Sequence, residues 1–102
     1  MLNAIEEIDS FFIDTPKDFF EYQRNIKTKR AIERNIEIIG EAMNRVLNLD
    51  SSINLTNSRK IVDTRNRIIH GYDTVSDEIM WGIVIKQLPV LKSEIGRLLS
   101  TL

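Results

Sequence analysis

The chain has 102 residues, 42% of them hydrophobic, which is the size of one ordinary domain with enough apolar material for a single core. It lacks cysteine, which excludes thiol catalysis, cysteine-based zinc sites and disulfide bonds. Its net charge of −1 argues against a protein that coats nucleic acid, since such binding depends on neutralised phosphates. No apolar run reaches the ~20 residues of a membrane span. There is no signal-peptide pattern either, so we expect one cytoplasmic domain over residues 1–102.

The N-terminal part is predicted to contain two helices. The first covers roughly residues 2–14 and has one apolar stripe, formed by Ala4, Ile5, Ile8, Phe11 and Phe12. The second is expected to begin at Thr15-Pro16-Lys17-Asp18. There Thr15 can act as the N-cap, Pro16 suits the first helical position, and Asp18 favours the positive end of the helix dipole.

A long helix is predicted from about residue 25 to residue 48, followed by a turn-rich loop over 48–57. Its apolar residues advance in alternating steps of four and three, which keeps them on one face: Ile32, Ile36, Ile39, Met43 and Val46. Gly40 in the middle of this helix costs about 1 kcal/mol relative to alanine, so it indicates the close approach of another helix.

Two further helices complete the pattern. One covers about 57–70 and ends at His70-Gly71, because a cationic side chain followed by glycine is a common helix stop; it carries Ile61, Val62, Ile68 and Ile69. The other opens at Ser76-Asp77-Glu78, is expected to kink at Pro89, and has an apolar stripe of Val84, Leu88, Leu91, Ile95 and Leu98. The sequence therefore predicts an all-α protein, an antiparallel bundle of four or five helices.

Positive charge is concentrated in two segments. Residues 24–34 carry five lysines and arginines against one glutamate. A second group is opposed only by Asp63 and consists of Arg59, Lys60, Arg65 and Arg67. Such groups are either solvated helix faces or a focused site for phosphate.

The residues best suited to catalysis lie near the end of the helix predicted at 57–70. Arg65 shares the inward-facing side of that helix with Ile61 and Ile68. Asn66 precedes His70 by four residues, so its amide can orient the imidazole. An ideal helix does not align Arg65 with His70, five residues apart, so the turn at the helix end has to bring the imidazole round. No carboxylates have metal-ligand spacing, and we expect neither a metal nor a cofactor.

Arginine and histidine together suit metal-free cleavage of RNA. An imidazole with a pKa near 6.5 carries protons at neutral pH, and an arginine offers phosphate oxygens a planar fork of donors. The leaving 5′-oxygen also needs an acid, which a homodimer with both His70 rings in one cleft would supply. A structural explanation remains open, with His70 as part of a helix cap and Arg65 as an ion-pair partner.

Further motifs accompany this pair. Arginine, four residues, histidine, any residue and tyrosine occur in register as Arg65, His70 and Tyr72, with the polar Asn66 after the arginine. Around them lie Ala31-Ile32-Glu33-Arg34, Ile39-Gly40-Glu41-Ala42, Met80-Trp81 and Leu88-Pro89. With these motifs the chain, from about residue 4 to residue 95, resembles the HepT family of HEPN-domain ribonucleases, partners of minimal nucleotidyltransferase (MntA-type) antitoxins. One departure is Ile53-Asn54-Leu55-Thr56-Asn57, where relatives often carry Ile-Pro-Trp.

The resemblance implies a HEPN-like helical domain that acts as a metal-independent endoribonuclease toxin on mRNA or tRNA, as a homodimer or larger oligomer. It implies that Arg65 and His70 are catalytic and that Asn66 supports them. It also implies control by the partner nucleotidyltransferase, which adenylylates Tyr72 and so places a phosphate beside Arg65. Three charged residues of the long helix either line the cleft or form surface ion pairs: Glu33, Arg34 and Glu41.

Two other functions remain open. The chain could be a non-catalytic, substrate-binding helical subunit of a small nucleotidyltransferase, or a structural partner whose basic face docks an acidic protein. Neither function requires Arg65, His70 and Tyr72 together, and in either of them Tyr72 would simply pack over the helix end.

Overall fold

Helices make up most of the computed structural model, which describes residues 1–70 and 75–101. They are α1 (Leu2–Ser10), α2 (Phe19–Arg24), α3 (Ile26–Leu49), α4 (Ser58–His70), α5 (Asp77–Gly82) and α6 (Leu88–Ser100), with a π-helical turn at Ile83–Gln87. No β-strand occurs in the two described ranges. Because α5, the π-helical turn and α6 follow one another without a break, these ranges form five helical rods, and the all-α prediction is confirmed.

The two N-terminal helices differ from the prediction at their ends. Helix α1 stops at Ser10, four residues before the predicted end. Helix α2 begins only at Phe19, and its N-cap is Asp18, not Thr15; the Asp18 carboxylate accepts the N–H of Phe20 at 3.4 Å. Aspartate is a better N-cap than threonine. Tyr22, four residues after the cap, is buried in the core.

Helices α3 and α4 form a hairpin at the centre of the fold. Asn25 caps α3 by accepting the N–H of Thr28 at 3.0 Å. The predicted stripe on α3 is confirmed, because four of its members are fully buried: Ile32, Ile36, Ile39 and Met43. On α4 the buried residues are Ile61, Val62 and Thr64, whereas Ile69 is 45% exposed. The two apolar faces therefore meet in the middle of the bundle.

The loop between α3 and α4 is fastened to α6. Glu94 of α6 accepts both the N–H of Thr56, at 3.1 Å, and the Thr56 hydroxyl, at 3.0 Å. The side chain of Leu55 is buried in the core, and Asn57 has a left-handed backbone with φ of 59° directly before α4. These contacts set the position from which α4 starts.

The last rod begins where the sequence predicts. Ser76 is the N-cap of α5, since its hydroxyl accepts the N–H of Ile79 at 3.2 Å. The sequence predicted a kink at Pro89; the irregularity that the structure shows in this rod is the π-helical turn, which ends two residues before the proline. Proline lacks an N–H group, and a π-helical turn is one way in which a helix absorbs such a defect. Among the described helices, none combines the length and apolarity needed to cross a bilayer.

Candidate active site

The site is centred on a close crossing of α3 and α4. A Cβ atom added at Gly40 would overlap Arg65 Cβ, lie 2.9 Å from Arg65 Cγ and lie 3.3 Å from the carbonyl oxygen of Ile61. The close approach predicted from Gly40 is therefore confirmed. Its consequence is chemical as well as structural, because the aliphatic stem of Arg65 is packed against the backbone of α3.

Asn66 binds the guanidinium of Arg65. Arg65 Nη1 donates to Asn66 Oδ1 at 2.8 Å, and both residues are half-buried. Across residues 1–70 and 75–101, Arg65 forms no ion pair with a carboxylate. The sequence predicted an inward-facing Arg65, which the packing confirms. The sequence also suggested that the Asn66 amide can orient His70; the structure shows its oxygen accepting from Arg65.

His70 is the last residue of α4, and its side chain is exposed. On a helix it lies one turn beyond Asn66 and on the same side. Asn66, which is hydrogen-bonded to Arg65, is thus the residue that connects the arginine with the histidine end of α4. Gly71, the predicted helix stop, and Tyr72, the third member of the motif, lie outside the described residues.

The charged residues predicted to line the cleft on α3 all have ion-pair partners on the same helix. Glu33 pairs with Arg30 at 3.0 Å, Arg34 with Glu37 at 3.2 Å and Glu41 with Arg45 at 2.8 Å. In a helical hairpin, residues before Gly40 lie toward the C-terminal end of α4. Glu33 is accordingly near that end, with its side chain 27% exposed.

A cluster that the sequence did not indicate joins α2, α3 and α5. Lys29 of α3 and Asp77 of α5 form an ion pair at 3.0 Å, with each side chain 25% exposed. Tyr22 is buried beside it, and its ring stacks at a tilt on Trp81, 5.1 Å between centroids. Burial, reinforced by the charges of Asp77 and Glu33, raises the pKa of Tyr22 above its ordinary value. Lysine and aspartate 48 residues apart follow no local spacing, so this pair could not be predicted from the sequence.

Two other features bear on what the site can bind. Within the described part of the chain, no group of three or more His, Asp or Glu side chains lies close enough to hold a metal ion. A surface groove of about 600 Å³ runs between α1 and α6, lined in part by Asp9, Phe12, Lys17 and Lys92. Neither Arg65 nor His70 lines this groove, so it is separate from the motif.

Comparison with known proteins identifies the family. Residues 1–98 match the family described as Ribonuclease HepT-like. The chain belongs to the HepT-like family. A protein of Methanocaldococcus jannaschii named as a candidate RNase is 34% identical over 97 residues, which cover 93% of this chain and 86% of the relative.

Two more relatives have similar coverage. One from Caldanaerobacter subterraneus subsp. tengcongensis, also named as a candidate RNase, is 30% identical over 96 residues, 88% of this chain and 83% of the relative. One from Thermococcus cleftensis, named as a candidate ribonuclease HepT, is 30% identical over 96 residues, 93% of this chain and 86% of the relative. No solved structure matches the chain. The resemblance found in the sequence is therefore confirmed over residues 1–98, almost the whole chain.

Proposed function

We propose that this chain is a metal-independent endoribonuclease, the toxin of a toxin–antitoxin pair, with Arg65 and His70 as its catalytic residues. The observation that carries the proposal is the guanidinium of Arg65, which is fixed by Gly40 and Asn66 and has no carboxylate partner in the described chain. A positioned cation near an exposed imidazole is suited to a phosphodiester. Membership of the HepT-like family, and relatives named as RNases, support RNA as the substrate.

The proposed reaction needs no cofactor. His70 takes the proton of a ribose 2′-hydroxyl, the 2′-oxygen attacks phosphorus, and the bond from phosphorus to the 5′-oxygen breaks. The 5′-oxygen leaves with a proton from an acid, so the products are a 2′,3′-cyclic phosphate and a 5′-hydroxyl. Arg65 stabilises the negative charge that grows on the phosphate oxygens. Asn66 is a positioning residue that holds the guanidinium.

A second copy of the chain is the proposed source of the acid. The chain contains a single histidine. One imidazole cannot both remove the proton of the 2′-hydroxyl and protonate the leaving 5′-oxygen in the same step. In a homodimer with the two His70 side chains in one cleft, one imidazole accepts a proton while the other donates one. The 45% exposure of Ile69, directly beside His70, supports a subunit contact here, because an exposed isoleucine gains from burial.

The proposed control is adenylylation of Tyr72 by a partner nucleotidyltransferase. Tyr72 follows His70 by two residues, so an attached nucleotide would bring its phosphate within reach of the motif. That phosphate would compete with the RNA backbone for Arg65. After co-expression with an MntA-type nucleotidyltransferase, intact-mass analysis should show adenylate additions that are absent from Tyr72→Phe. Additions that persist in this variant would move the acceptor elsewhere.

The proposed chemistry is tested by the ends of the RNA fragments. Purified protein in EDTA should cut RNA and leave 2′,3′-cyclic phosphate and 5′-hydroxyl ends, both identifiable by mass spectrometry. A substrate with a single 2′-deoxynucleotide before the mapped cut should resist cleavage there while other positions are still cut. Cleavage at the deoxynucleotide, or 5′-phosphate ends, would contradict the role given to the 2′-hydroxyl. If the protein cleaves no RNA at all, the nuclease proposal fails and the alternative function, a non-catalytic helical subunit of a small nucleotidyltransferase, is favoured.

A further inference from the structure

The solvent-facing side of α4 is a polar surface built around His70. Its six positions recur at helical spacing and are called here the α4 face: Arg59, Lys60, Asp63, Asn66, Arg67 and His70. Five of the six residues are exposed, and Asn66 is half-buried. The six members of the α4 face are all polar, and three of them are lysine or arginine; the 45% exposed Ile69, which belongs to the proposed subunit contact, lies beside the face.

Cations on α3 and α4 differ in how they are neutralised. Each arginine of α3 has a carboxylate partner on the same helix: Arg30 with Glu33, Arg34 with Glu37, and Arg45 with Glu41. On α4, by contrast, none of the four lysines and arginines has an ion pair with any described residue: Arg59, Lys60, Arg65 and Arg67. Among the described residues, the arginines of α3 are therefore paired with carboxylates of their own helix, whereas the lysine and arginines of α4 are not; Lys27 of α3 is the one cation of that helix that likewise has no ion pair with a described residue.

We propose that the α4 face binds the RNA phosphates that flank the cleaved one, through Arg67, Lys60 and Arg59. This inference rests on the function proposed above. Arg67 lies one turn from His70, and Lys60 lies two turns further, about 10 Å along the axis from Arg67. The three cations therefore form a track that leads away from the catalytic histidine along one helix.

The composition of the face favours RNA over a protein partner. The centre of a protein–protein interface is normally apolar and poor in charge, and the α4 face offers neither property. Binding of a phosphodiester backbone requires only cations and hydrogen-bond donors spaced along the surface. Asp63 is the exception, since its carboxylate lies inside the track and repels phosphate. Its removal should therefore strengthen binding, which a purely structural role for α4 does not predict.

The test measures RNA binding without cleavage. In a His70→Ala background, the anisotropy of a labelled single-stranded RNA gives the Kd over a range of salt concentrations. Lys60→Gln and Arg67→Gln should each lower the salt-dependence slope by about 0.7, which corresponds to roughly fivefold weaker binding at 0.1 M salt. Asp63→Asn should bind more tightly than the background.

Matched controls are two cations that already have carboxylate partners. Lys92 pairs with Asp9 at 3.0 Å, and Arg24 pairs with Glu21. Lys92→Gln and Arg24→Gln should leave both the Kd and the slope near those of the background.

Three outcomes separate this inference from the proposed function. If the α4 variants behave like these controls while the chain with His70 intact still cleaves RNA, the proposed phosphate contacts are wrong and the proposed nuclease activity is retained; the α4 face would then be free for a protein partner. If the α4 variants weaken binding but no cleavage occurs, the nuclease proposal fails and the binding surface stands. A background that binds no RNA overturns the track.

Discussion

Gly40 of α3 and Arg65 of α4 lie so close together that the glycine has no room for a side chain: an added Cβ would overlap Arg65 Cβ. The contact ties the catalytic candidate to the packing of the bundle. A substitution at this buried helix crossing should therefore change the rate of RNA cleavage, because it moves the guanidinium of Arg65.

The first prediction concerns Gly40→Ala. Alanine is the better helix former, but here its methyl group forces Arg65 or the helices to move, and overpacking of this kind costs about 1–3 kcal/mol. Urea unfolding should show this loss, and RNA cleavage should fall by about 100-fold, since displacement of a catalytic group by an ångström has that effect.

The matched control for that prediction is Gly96→Ala in α6. An added Cβ at Gly96 meets nothing within 4 Å, so this variant should gain about 0.5–1 kcal/mol from helix propensity and keep its activity. Equal behaviour of the two alanine variants would mean that the crossing of α3 and α4 tolerates a side chain.

The second prediction ranks two substitutions of Asn66. Asn66→Ala removes the hydrogen bond to Arg65, and the loss of about 1–1.5 kcal/mol in positioning should lower kcat roughly tenfold. Asn66→Asp places a carboxylate beside the guanidinium, neutralises it and should reduce kcat/KM further than alanine does. Steady-state cleavage kinetics measure both. An aspartate variant as active as the alanine variant would show that the charge of Arg65 does not act on the phosphate.

The third prediction concerns the Lys29–Asp77 ion pair. Its side chains are each 25% exposed, whereas those of the Lys92–Asp9 pair are 45% and 46% exposed. Lys29→Met should therefore destabilise the fold by roughly 1–2 kcal/mol, between the values for surface pairs and fully buried pairs. Lys92→Met should cost less than about 1 kcal/mol. Double-mutant cycles with Asp77→Asn and Asp9→Asn give the coupling energies, and a larger coupling for the exposed pair would contradict the ranking.

The fourth prediction is a pH dependence caused by Tyr22. Its pKa is raised in the folded protein by burial and by Asp77 and Glu33, so the folded state holds the phenol proton more tightly than the unfolded chain does. The resulting stability is complete below about pH 10, where the unfolded tyrosine titrates, and is lost as the pH rises above that value. Tyr22→Phe removes this term, so its free energy of unfolding should fall less steeply than that of the parent above pH 10. Parallel curves would show that Tyr22 ionises equally in both states.

The helices were predictable because their apolar residues recur at helical spacing. The stripe from Ile32 to Met43 and the unusual Gly40 were enough to predict α3 and a close neighbour. Helix starts were less predictable: the sequence analysis assigned the N-cap of α2 to Thr15 and a dipole role to Asp18, whereas the structure has Asp18 as the cap. Aspartate is the better N-cap of the two.

The candidate site was predicted in its residues but not in its contacts. The spacing of Arg65, Asn66 and His70 placed them near one another, yet no pattern in the sequence distinguishes an amide bound to arginine from one bound to histidine. That Arg65 has no carboxylate partner among the described residues could not be predicted either, although the pairing of the α3 glutamates with arginines of their own helix follows a local spacing that the sequence contains. Rotamers and long-range ion pairs such as Lys29–Asp77 arise only when the helices pack.

The most direct measurement is the rate of RNA cleavage in EDTA by the parent chain, Arg65→Ala and His70→Ala, with helicity checked by circular dichroism. Because a proton carrier and a charge-stabilising group each contribute about 100-fold or more, each variant should cleave at least about 100-fold more slowly at unchanged helicity. Parental rates in either variant would contradict the assignment of that residue. Parental rates in both would show that the active site lies elsewhere in the chain.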